Sequence, residues 1–83
     1  MYKRYMIDGN LHSFKVICED PQRNGDIYYL AVDTTTKEEA WLYPDGIIEY
    51  CDKTHTTIYA REVSETEMQQ LWCVCAHDHY YRR

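Results

Sequence analysis

The sequence predicts an α+β fold, an antiparallel sheet of five to six short strands with one C-terminal amphipathic helix packed on one face. Three observations carry this expectation. Short β-prone runs recur along the chain, each bounded by a turn signal such as Asp8-Gly9 or Pro44-Asp45-Gly46. After Ser64 the apolar spacing changes from alternation to a helical period. Eighty-three residues leave room for one core, so the chain reads as a single domain over 1–83: strand-rich at 1–62, helical at about 65–78, with a short basic tail at 79–83.

Each element follows from its residues. Residues 2–7 are β-prone and run into Asp8-Gly9, a dipeptide suited to a two-residue hairpin with both central residues at positive φ. Leu11 to Cys18 alternates, which places Phe14, Val16 and Cys18 on one face. Glu19 to Gly25 holds Pro21 and Asn24-Gly25 and reads as a loop. Ile27 to Val32 is apolar on both faces and belongs in the middle of the sheet. Thr34 to Lys37 turns the chain, and Glu39 to Tyr43 forms a short strand centred on Trp41. Pro44 presets φ and Gly46 supplies a conformation other residues resist, so 43–46 is a tight turn into a strand at 47–51. Asp52 to His55 turns again, and 57–61 alternates once more. Ser64-Glu-Thr-Glu67 then fits a capping box, and Met68, Leu71, Trp72 and Cys75 make one apolar stripe. A small, partly open barrel closed by that helix is the second arrangement the pattern allows.

Composition narrows the function classes. Apolar residues make up 45% of the chain, enough for one core without a metal or a disulfide. Nine of the twelve aromatics are Tyr, a residue suited to half-buried sheet faces and contact surfaces. Residues 6–81 carry five bases against fourteen acids, a net −9, with the other bases at Lys3, Arg4, Arg82 and Arg83. Such a body repels phosphate backbones, which argues against direct nucleic-acid binding, and attracts basic partners. No apolar run follows Met1-Tyr-Lys-Arg-Tyr, and Leu71 to Ala76 is too short to cross a bilayer. The expectation is a cytoplasmic protein with reduced cysteines and no membrane association.

Two constellations carry candidate chemistry. Cys73, Cys75, His77 and His79 crowd potential soft-metal ligands into seven residues, and Cys51 and His55 with Cys73 and His77 could form a tetrahedral zinc site. The spacing matches no common finger or ribbon, however, and cysteine is often a plain small core hydrophobe. No cofactor is therefore expected, and the zinc-stabilised binding module stands as the alternative reading. Cys73 with His77 and Asp78 has the residue types of a nucleophilic site, but no nucleophile elbow, Walker loop or dinucleotide fingerprint accompanies it. An enzyme is not expected.

The second constellation is acidic and aromatic. In a hairpin over 38–52, Glu39 and Glu49 face solvent on one ladder with Asp45 and Asp52 at its two ends. Glu38, Glu39, Tyr43, Asp45, Glu49, Tyr50 and Asp52 are the expected partner-binding residues. Carboxylates and rings on one strip can occupy an Arg- and Lys-rich groove that otherwise holds nucleic acid. In size and charge the chain resembles the inhibitors that phages and other mobile elements direct against host nucleic-acid machinery, CRISPR and restriction systems among it. That resemblance implies an interaction protein acting by stoichiometric binding to a protein with a basic surface, such as a nucleic-acid-binding enzyme. Exposed sheet edges could also pair two copies into a homodimer.

Overall fold

The turn residues bend the chain back on itself at short intervals. In the computed structural model, which describes residues 1–69, this yields an antiparallel meander. Its strands are β1 (Tyr2–Ile7), β2 (Asn10–Pro21), β3 (Ile27–Asp33), β4 (Glu39–Leu42), β5 (Ile47–Tyr50), β6 (Thr57–Tyr59) and β7 (Arg61–Val63). They form one sheet in the order β6-β5-β4-β3-β2-β1-β7. Asp8 and Gly9 both take positive φ between β1 and β2, as the hairpin requires. Pro44–Gly46 forms the tight turn between β4 and β5, with Asp45 and Gly46 both at positive φ.

The strand order dictates the shape. β6 and β7 occupy opposite ends of the sheet, yet Ala60 alone separates them in the chain. In a flat seven-stranded sheet those ends would lie roughly 29 Å apart, which one residue cannot span. The sheet therefore curls until its ends meet. Residues 57–63 act as one bent strand, the first half paired with β5 and the second with β1.

This overturns the expected α+β architecture. The sheet built by the described residues has seven strands, not five or six, and is nearly closed and barrel-like rather than an open sheet with one face awaiting a helix; the helix described covers residues 65–69. The physical reason is that the curled sheet covers its own inner face and needs no helix to do so. Closure also comes from the bent strand rather than from a helix. The cap is present: the Glu67 amide donates to Ser64 Oγ at 3.1 Å and residues 65–69 are helical. The Glu67 carboxylate pairs with Arg61 instead of reaching back to the cap. The remainder of the expected helix, residues 70–78, lies outside the described residues, as does the tail at 79–83.

Two local expectations also change. The register of β2 against β3 shifts between Val16 and Cys18, so Ile17 is an extra residue and Cys18 leaves the face of Phe14 and Val16. Cys18 is exposed opposite Leu30. Glu19 to Pro21, read as loop, continue β2 against Tyr29 to Ile27.

The core fills the curled sheet from within. Tyr5, Phe14, Ala31, Ala40, Leu42, Ile48 and Tyr50 form its buried cluster, with Ile7, Val16, Tyr29, Ile58 and Ala60 packed around it. Ala31 and Ala40 are direct cross-strand partners, and this small pair leaves volume for the neighbouring rings. Phe14 meets Tyr5 edge-on at 5.6 Å and Tyr50 at 6.3 Å. Each large apolar side chain so buried contributes on the order of 1.5–3 kcal/mol.

Candidate binding site

Alternation along β3 to β6 sorts the expected contact residues by side. Ala40 and Leu42 point inward with Ile48 and Tyr50, their cross-strand partners. The intervening residues must then point outward: Glu39, Trp41 and Tyr43 from the β4 segment, Ile47, Glu49 and Cys51 from the β5 segment. Tyr28, Leu30 and Val32 of β3 and Thr57 and Tyr59 of β6 complete this outer face through the registers Leu30–Trp41–Glu49–Thr57 and Ile47–Tyr59.

Trp41 sits at its middle. Leu30 flanks it on one side and Glu49 on the other, with Glu39 and Tyr43 two residues away along its own strand. The Tyr43 hydroxyl donates to Glu49 Oε1 at 2.7 Å, and the Tyr28 ring meets the Tyr43 ring edge-on at 4.7 Å. That hydrogen bond, then partial burial, pushes the Tyr43 phenol up to about 12. Tyr59 is 80% exposed at the margin. Cys51 lies opposite Glu39, its amide donating to the Glu39 carbonyl at 2.9 Å. Partial desolvation and then the charges of Glu39, Glu49 and Asp52 raise its thiol above the usual range.

The expected strip is thus divided. Glu39, Tyr43 and Glu49 share the outer face, and Asp45 is exposed at the tip of the β4–β5 turn. Glu38 is exposed just before β4. Asp52 has another occupation: its carboxylate accepts from the amides and hydroxyls of both Thr54 and Thr56 and organises the β5–β6 turn. Tyr50 is not on this face at all. Its ring is in the core, 9% exposed, and its hydroxyl donates to Asp33 at 3.0 Å.

Sequence reasoning left Trp41, Leu30, Tyr28 and Ile47 out of the strip. The signal lay in the 43–46 turn, whose length sets Trp41 opposite Glu49. It likewise gave no sign of the buried carboxylate of Asp33, which is fully enclosed and accepts from His12 Nδ1 at 2.8 Å, Tyr50 at 3.0 Å and the Thr35 amide at 2.9 Å.

For metal binding, Cys51 and His55 are both exposed, while Cys73 and His77 lie outside the described residues. Among the described residues, no three His, Cys, Asp or Glu side chains are grouped to hold an ion, and no helix is long and apolar enough to cross a membrane. No protein family, curated protein or solved structure matches this chain.

Proposed function

We propose that this is a small binding protein that engages a basic macromolecular partner, one to one, through the outer face of β3 to β6. The observation that carries the reading is the placement of Trp41 beside both Glu39 and Glu49 on a sheet face whose segment has no base between Lys37 and Lys53. Half-buried rings offer contact area at low entropic cost, and the carboxylates favour a cationic counterpart and speed its approach. A nucleic-acid-binding enzyme is the specific partner class this reading favours: carboxylates would stand in for phosphates and rings for bases. Inhibition of such an enzyme, in the manner of phage-borne anti-defence proteins, is the form the activity would then take.

Affinity capture from the native host, comparing the unaltered chain with Glu39→Lys/Glu49→Lys, tests the reading. Glu39 is exposed, whereas Glu49 is half-buried and accepts from Tyr43, so the variant should stay folded but melt several degrees below the original. The expected result is a basic protein recovered by the original chain, released by salt and lost at least about tenfold with the variant. Equal recovery by both would refute it.

A further inference from the structure

We infer that the partner presents arginine to this face, with the guanidinium lying flat on the Trp41 indole between the carboxylates of Glu39 and Glu49; the inference rests on the binding role proposed above. Glu49 is the direct cross-strand partner of Trp41, which sets their Cβ atoms about 5 Å apart. Glu39 lies two residues back along β4 on the same side, about 7 Å away. A planar cation resting on the indole would therefore have two carboxylates within reach, one across the ladder and one along the strand.

The face is already organised for this. Tyr43 holds one oxygen of Glu49 at 2.7 Å, which restrains the carboxylate, and among the described residues no donor occupies the other. Among the described residues the ion pairs of lysine and arginine are Lys3 with Glu62 and Arg61 with Glu67, and the His12 contact is to Asp33, so neither Glu39 nor Glu49 is neutralised within that part of the chain. Leu30 and Ile47 beside them provide apolar ground for the methylene stem of a long cationic side chain.

Arginine suits this arrangement better than lysine. The guanidinium is flat, weakly hydrated and forked, so it can stack on a ring while donating in its own plane to carboxylates at its edges. An ammonium is compact and strongly hydrated, and it gains little from lying on an indole at a surface. Charge alone would attract both cations equally. Stacking separates them.

The test titrates the full isotopically labelled chain with capped tetrapeptides of arginine, lysine and citrulline, following the Trp41 indole N–H and the amides of Ile47 and Thr57 by NMR. Tetra-arginine should bind about three- to fivefold more tightly than tetra-lysine, and tetra-citrulline, neutral but similar in shape, should not bind. Trp41→Leu should remove the arginine preference while leaving the weaker binding common to both cations. Equal affinity for arginine and lysine would overturn the inference and leave the binding role standing. So would an arginine preference that survives Trp41→Leu. Should that variant fail to fold, the comparison of peptides on the unaltered chain still decides. Absence of binding by every peptide, or shifts confined to another face, would remove the binding role as well. Shifts of the same resonances on concentrating the free protein would assign the face to a second copy and overturn the arginine-bearing partner.

Discussion

Asp33 holds a charge where water does not reach, and its neighbours make that tolerable. Burial alone would raise its carboxyl; the hydrogen bonds from His12, the Thr35 amide and Tyr50, together with the His12 ring, more than offset that and bring it below its ordinary value of 3.8. The lowered folded value means that the unfolded chain takes up protons first as pH falls. The resulting stabilisation is complete above the unfolded value and disappears as pH drops through the folded one. Asp33→Asn should cost about 2–4 kcal/mol at neutral pH, because His12 and Tyr50 lose an ionised acceptor in a buried site. Urea unfolding at a series of pH values should show the original chain losing stability below about pH 4 and the variant changing less there. Cys51 offers a second check at this scale. Its alkylation should be slower than that of a free thiol at neutral pH, and Glu39→Gln/Glu49→Gln should speed it, since reactivity follows the thiolate fraction. A rate unaffected by removing both charges would contradict the electrostatics assigned to the outer face.

Among the elements, the β4–β5 turn bears most on closure. Gly46 takes φ +77°, and its carbonyl accepts from the Ala60 amide at 2.8 Å, at the bend between β6 and β7. A Cβ at this position would stand 1.9 Å from the Ala60 carbonyl oxygen. Gly46→Ala therefore combines left-handed strain with a backbone collision, and should cost on the order of 2 kcal/mol or more in a thermal or urea melt. Gly9→Ala, at φ +78° with open space around it, should cost less. The hairpin turns were legible in the sequence because Asp8-Gly9 and Pro44-Asp45-Gly46 act through local backbone preferences. The Ile17 bulge and the extension of β2 to Pro21 were not, because pairing with β3 overrides the turn preferences of Glu19-Asp20-Pro21. The seam at Ala60 was also hidden. Alternation over 57–61 describes a strand, and nothing local shows that one strand will serve both ends of a sheet.

At the scale of the whole molecule, curvature divides the side chains into two populations. Inside are Tyr5, Phe14, Leu42, Ile48 and Tyr50 around the Asp33 network; outside are Trp41 and the carboxylates beside it. Much of the outer site could be read from the chain, since Glu39, Tyr43 and Glu49 keep the alternation that placed them there. Tyr50 could not be distinguished in this way: a tyrosine between Glu49 and Cys51 looks like a surface residue until Asp33, seventeen positions earlier, is brought to its hydroxyl. The binding test by charge reversal and the arginine titration both belong to this scale, because they depend on which side of the curled sheet a residue occupies. The Ala60 bend has a consequence of its own. Where β7 lies along β1, the amides and carbonyls of β1 are spoken for, and they cannot recruit strands from other molecules. Releasing that short stretch would bare those groups and offer another strand an edge to pair with. Ala60 is thus the joint at which the last strand of the meander passes into the neighbour of its first.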